Sequence, residues 1–344
     1  MEPIASVRAA APAATVLRSN RRWIAVVAIS TAAAACSDTS AVPTAIDTPA
    51  EPAFARAAKG RALGKIVFAA DSARGDGAPS GFSALFVMNG DGTDVTRITA
   101  YDTYDAPAWS PDGRAIAFQR RIAVQPGSAD SVTYVGTMSP NGGRETLLAP
   151  GETPAWSPDG TRIAFERQFV PSEADVFVMN ADGSNVRQLT TGLAFDGEPT
   201  WSPDGGRIAF SSSRAGGLEV FIMNADGTNP KQLTSCAAVS RACSAPSWSP
   251  IPGNERIAYT ERSGDHVLIS TIKSDRTLYL VVTSGTLARD VGPSWSPDGT
   301  ALVFAGRGDT AGRRAIFAVQ AVQNAIATRL TALGTDERAP SWKK

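Results

Sequence analysis

The stretch "WSPDGTRIAFERQFVPSEADVFVMNADGSNVRQLT", residues 156–190, decides the fold. It opens on a tryptophan and a Ser-Pro-Asp-Gly turn, in which Pro fixes φ and Gly tolerates positive φ. The apolar run "IAFERQ" follows at 163. After a variable loop comes "DVFVMNADG" (175–183), which ends in a second turn signal, and then "VRQLT" (186–190). Each run is short, β-branched or aromatic, and bounded by Gly, Pro, Asn or Asp. That is the signature of strands.

The pattern recurs along the chain. "PAWSPDG" stands at 107–113 and 154–160, "PTWSPDG" at 199–205 and "PSWSPDG" at 293–299, with degenerate copies "PSWSPIPGN" (246–254) and "PSWKK" (340–344). Their tryptophans are Trp109, Trp156, Trp201, Trp248, Trp295 and Trp342, separated by 47, 45, 47, 47 and 47 residues. A period of this length belongs to a solenoid, a propeller or an array. Helical periodicity is absent between residues 62 and 342, so helical and horseshoe repeats are excluded. Four strands per period match one propeller blade.

The ends of the chain fit a closed ring. "KIVFAAD" at 65, "ALFVMNGDG" (84–92) and "VTRIT" (95–99) form a unit without its Pro-x-Trp strand, and the C-terminal "APSW" (339–342) is a spare one. The expectation is an all-β, six-bladed propeller of four-stranded blades, closed by the C-terminal strand pairing with the N-terminal three. Closure removes two open sheet edges. The tryptophans are expected to pack blade against blade. Asp112, Asp159, Asp204 and Asp298 of the Ser-Pro-Asp-Gly turns are expected to be structural.

Residues 156–190 resemble the repeat of TolB-type β-propellers, and the resemblance extends over roughly residues 62–342. It implies a six-bladed propeller in the periplasm. TolB proteins also carry an N-terminal α/β domain that contributes to contacts within the Tol–Pal envelope system. Here a segment of different composition stands in that place. The resemblance still implies a peptidoglycan-associated lipoprotein as a possible partner. Similar repeats form the accessory propeller of prolyl-oligopeptidase-type peptidases, and some related propellers act as lyases.

Residues 1–36 read as a lipoprotein signal peptide. Arg18, Arg21 and Arg22 precede an apolar segment from Trp23 to Ala35, too short to span a bilayer, and Ala33-Ala34-Ala35-Cys36 has the form of a lipobox with Cys36 lipidated. Ser37 after the cysteine favours an outer-membrane anchor facing the periplasm. Residues 37–60, rich in Ala, Pro, Thr and Ser, read as a disordered tether, and 61–344 as the propeller. In an oxidising compartment, Cys236 and Cys243 are expected to form a disulfide.

Composition narrows the function. Lys plus Arg and Asp plus Glu are equal at 33 each, which gives no basis for nucleic-acid binding. His266 is the one histidine, and no Gly-x-Ser-x-Gly elbow, Walker loop or dinucleotide fingerprint is present. No catalytic residues are assigned. Acids precede most Pro-x-Trp strands: Asp105, Glu152, Asp196, Glu198, Asp290, Asp336 and Glu337. If that strand is innermost, these carboxylates gather at one mouth of the channel, where a basic peptide or Ca²⁺ could bind. No other cofactor is expected. The reading is a monomeric, non-catalytic, exported scaffold that engages an envelope protein or peptide at the channel mouth. An enzyme or a glycan-binding module are the alternatives.

Overall fold

The computed structural model describes residues 64–71, 81–125, 130–170, 172–283, 292–307 and 313–343. The signal-peptide and tether assignments, including Cys36, and Asp290 all lie outside these residues. The described residues form six antiparallel sheets of four strands each.

The first blade is composite: β1 (Lys65–Asp71), β2 (Ser83–Asn89) and β3 (Thr96–Arg97) are joined by β24 (Glu337–Trp342). The second holds β4 (Tyr104–Trp109), β5 (Ile116–Ala123), β6 (Ser131–Met138) and β7 (Thr146–Pro150). The third holds β8 (Glu152–Trp156), β9 (Arg162–Val170), β10 (Glu173–Asn180) and β11 (Arg187–Gln188). The fourth holds β12 (Asp196–Trp201), β13 (Arg207–Ser212), β14 (Glu219–Asn224) and β15 (Lys231–Gln232). The fifth holds β16 (Ala242–Trp248), β17 (Arg256–Ser263), β18 (His266–Lys273) and β19 (Leu280–Val281). The sixth holds β20 (Ser294–Trp295), β21 (Ala301–Arg307), β22 (Arg314–Gln320) and β23 (Thr328–Arg329).

The ring closes as the spare strand implies. Ile66 pairs with Trp342 and Ala70 with Glu337 across β1 and β24. The outer strands are short, two residues in every blade except the second. A short outer strand offers little template for edge-to-edge association.

The cores lie between neighbouring sheets. The second strand of each blade contributes one large ring to them: Phe68, Phe118, Phe165, Tyr259, Phe210 and Phe304 are all essentially buried. Several stack on an aromatic of the third strand, as Phe165 does on Phe177 at 5.7 Å and Phe304 on Phe317 at 5.9 Å. In the second blade Gly136 replaces that aromatic, and a Cβ there would meet the Phe118 ring at 2.6 Å.

The turn aspartates are structural. Asp112 accepts from the Ser110 hydroxyl at 2.7 Å and from the Arg114 N–H at 3.0 Å, and Asp298 accepts likewise from Ser296 and Thr300. These bonds hold Asp112, Asp159 and Asp204 below the usual carboxylate range, the serine hydroxyl being the largest cause in each.

Candidate functional site

The six Pro-x-Trp strands run along the central channel. Their register sets which side chains face it. In five of the six, the pairing with the second strand shifts by a bulge just before the proline. The pre-proline residue takes a positive φ: Ala106 at 42°, Thr153 at 47°, Glu198 at 52°, Ala245 at 50° and Ala339 at 49°. The sixth position is Gly292, at 75°. A side chain is strained in this region, so each needs support from its surroundings.

Some of that support comes from the preceding blade. The Thr153 N–H donates to Gln119 Oε1 at 2.9 Å, and the Glu198 N–H to Glu166 Oε2 at 2.8 Å. The Ala245 N–H donates to Glu198 Oε2 at 2.8 Å and lies 3.0 Å from Ser211 Oγ. Gln119, Glu166 and Ser211 each follow the second-strand phenylalanine by one residue. Sequence reading passed over this position, yet a polar residue inside an apolar run was the available signal.

At one end of the channel the six prolines, Pro107, Pro154, Pro199, Pro246, Pro293 and Pro340, surround a cavity of about 350 Å³. Asp105, Gln119, Glu198, Arg314 and Arg338 supply its polar wall. At the other end the six repeat tryptophans surround a narrower neck of about 140 Å³.

The expected ring of acids is divided among different environments. Asp105 and Glu198 line the mouth, and Glu152 lines an adjoining recess with Asp105, Gln119 and Arg338. Asp196 does not line it: it is 1% exposed, accepts from Ser212 Oγ at 2.6 Å and pairs with Arg214. Glu337 is fully buried and accepts from the Thr331 hydroxyl and the Leu333 N–H. Burial raises its pKa. Asp336 is bound to the Arg314 side chain and accepts its N–H at 2.9 Å.

The reason is register. Asp196 and Glu337 stand three residues before proline, Asp105 and Glu152 two, and Glu198 one. The bulge and the positive φ just before the proline break the regular alternation of the strand, so Asp105 and Glu198, two and one residues before proline, both line the mouth, while Asp196 and Glu337, three before it, take buried partners. Among the described residues, the carboxylates at the mouth itself are those of Asp105 and Glu198, and they stand beside the guanidinium groups of Arg314 and Arg338. Arg338 was missed in the sequence. It occupies the closing blade's equivalent of Asp105 and ion-pairs with Asp105 and Asp71.

Glu166 is the most perturbed acid near the mouth. Its carboxyl is pushed up to about 7, first by burial and then by the Glu198 charge.

Two other sequence candidates sit elsewhere. His266 is exposed at the start of β18, opposite Ser263 across the hairpin. A disulfide joins Cys236 to Cys243, with Cα atoms 5.9 Å apart. Glu219 lies beside it, but its carboxylate accepts from Thr234, from the Cys236 N–H at 2.9 Å and from the Ala237 N–H at 2.7 Å. With both sulfurs in the disulfide, no thiolate is offered to a metal. Among the described residues no helix is long and apolar enough to cross a membrane.

A six-bladed ring with a polar mouth and a tryptophan neck defines a channel-bearing β-propeller. The TolB β-propeller domain matches residues 59–344, and the chain belongs to that family. Among solved structures, TolB from Acinetobacter baumannii superposes with a TM-score of 0.66 at 19% identity, over 81% of this chain and 66% of that one. A putative TolB from Agrobacterium tumefaciens gives 0.51 at 19% identity, over 69% of this chain and 95% of that one. A puromycin-hydrolyzing peptidase from Mycobacterium tuberculosis gives 0.50 at 16% identity, over 72% of this chain and 41% of that one. At these identities the likeness is one of fold. No curated protein matches the chain in sequence.

Proposed function

We propose that this chain is a non-catalytic binding scaffold of the bacterial envelope, exported and anchored through a lipid on Cys36. Its propeller engages a protein or peptide at the proline-lined mouth. The observation that carries this reading is the mouth itself. It presents six proline faces and charges of both signs, with Asp105 and Glu198 set among Arg314 and Arg338. Fixed charges of both signs suit a peptide, with its alternating polar and apolar groups, better than a wholly apolar small ligand. Family membership supports the same reading, and a peptidoglycan-associated lipoprotein is the first partner to test.

The test is crosslinking of the full-length lipidated protein in its native envelope, with capture and mass spectrometry. A variant with Asp105, Glu152, Glu198 and Asp290 changed to the neutral amides runs beside it. Capture of one envelope protein, lost in the variant, is the expected result. Equal capture by both proteins would remove the mouth from the reading, and no capture above background would remove the protein partner.

A further inference from the structure

The turns that follow the third strands break their pattern in the fifth blade. In the first four blades a glycine holds a positive φ there: Gly92 at 88°, Gly142 at 81°, Gly183 at 87° and Gly227 at 89°. In the fifth blade Arg276 takes the same place, at 69°. The bonding shows the equivalence. The N–H of Gly227 donates to the Asn224 carbonyl and that of Arg276 to the Lys273 carbonyl, both at 2.9 Å. A residue with a Cβ is strained at this φ, and a strained position points to a use.

The glycines let each turn press on the blade before it. A Cβ would stand 2.7 Å from the Leu330 carbonyl oxygen at Gly92, 1.7 Å from that of Ile98 at Gly142 and 2.7 Å from that of Leu189 at Gly227. In the fourth blade the residue matching Leu189 is Leu233. The Cβ of Arg276 forbids so close an approach, and a recess of about 350 Å³ lies at this junction, with Leu233 and Arg276 in its wall. Lys273 pairs with Arg256, and Ile257 beside it pairs with Trp248. The turn therefore lies at the tryptophan end of the blade, away from the proline-lined mouth.

The wall of this recess is basic. Arg207, Lys231 and Arg276 line it with a single carboxylate, Asp275. Asp275 is engaged within its own turn, accepting from the Thr277 N–H at 2.9 Å. Arg207 is neutralised by Glu255 at 2.7 Å. Arg276 donates to the Ser235 hydroxyl at 3.0 Å. Among the described residues, neither Lys231 nor Arg276 has a carboxylate partner. Two uncompensated cations from adjacent blades thus share one recess. A guanidinium fork matches a carboxylate. Ile222 and Leu233 add apolar wall, which a bare inorganic anion would leave unused. We propose that this recess binds an acidic segment of a partner protein, with a carboxylate held by Lys231 and Arg276 and an apolar neighbour against Ile222. The site is separate from the mouth and does not depend on the reading given there.

The test titrates the full chain by calorimetry with an end-blocked hexapeptide of alternating leucine and glutamate. The glutamate peptide is expected to bind, and its glutamine counterpart is not. The double variant Lys231→Gln, Arg276→Gly should weaken binding by about tenfold or more. Arg276→Gly alone restores the glycine of the other blades and should melt no lower than wild type, whereas an arginine kept for stability would make it melt lower. Asp105→Asn with Glu198→Gln, at the mouth, should bind the peptide as wild type does. No binding by wild type would overturn the proposal, as would equal binding by the double variant or loss of binding in the mouth variant. Displacement of the peptide by an equal concentration of inorganic phosphate would overturn it in favour of a small-anion site. If the double variant fails to fold, Lys231→Gln alone decides, because that side chain is exposed.

Discussion

Arg338 lies 233 residues after Asp105 in the chain, and its Nε donates to the Asp105 carboxylate at 2.7 Å. The same guanidinium pairs with Asp71 on β1. One side chain on the closing strand thus ties the first strand of the propeller to the neighbouring blade. Both acids and the arginine remain partly open to solvent, so the contribution is less than that of a fully buried pair. Arg338→Met is expected to destabilise the fold by about 1–3 kcal/mol, read from urea denaturation. Arg338→Lys keeps the charge but loses the fork, and should recover only part of that. A wild-type midpoint in Arg338→Met would show that the pairs are incidental.

Glu166 makes stability depend on pH. Its folded pKa is raised from 4.5 to about 7, by burial and then by Glu198. Between those values the folded chain holds a proton that the unfolded chain has released. This group's contribution is therefore full below the unfolded value and lost as pH rises toward the folded one. Glu166→Gln keeps an oxygen for the Glu198 N–H and carries no charge. It should be more stable than wild type by about 1–3 kcal/mol near neutral pH and above. At about pH 4, where both forms are neutral, it should match wild type. Parallel denaturation curves across that range would sink the assignment.

Trp201 combines burial, a bond from Nε1 to the Ala155 carbonyl and a guanidinium over its face. Trp201→Ala should cost roughly 3–5 kcal/mol. Trp201→Phe should cost appreciably less, because the ring contact survives. Trp156 is more exposed and its Nε1 reaches no acceptor among the described residues, so Trp156→Ala should cost less than Trp201→Ala. Melting temperatures of the three variants rank these effects, and a reversed order would reject blade packing as their common cause.

The disulfide closes a loop with a sequence separation of 7. On the chain-entropy account a loop of that size contributes about 2–3 kcal/mol. Cys236→Ser with Cys243→Ser should lower the urea midpoint accordingly. Reductant should move the wild type toward the variant and leave the variant unchanged.

The architecture was legible because one heptapeptide recurs at an almost constant interval, and only a blade fits four strands into it. The site was harder to read. Acids near each Pro-x-Trp triplet look equivalent in sequence, but the bulge before the proline decides which offsets face the channel. Asp196 and Glu337 therefore went to buried partners while Asp105 and Glu198 went to the mouth. Arg338 was hidden by the assumption that its position carries acid. Glu166 required knowing that the following blade has an unsupported N–H at Glu198. That depends on a bulge no short pattern announces.

The pairing of β1 has a mechanical meaning. This strand is the first of the propeller, and it is held on both flanks, in seven paired positions by β2 and in four by β24. A pull applied at Lys65 in the direction of the strand acts along its axis. Interstrand hydrogen bonds lie across that axis, so such a force loads them together, in shear, and cannot unzip them one at a time. A propeller held to a surface through its N-terminal side would resist traction at the very strand where its ring is sealed.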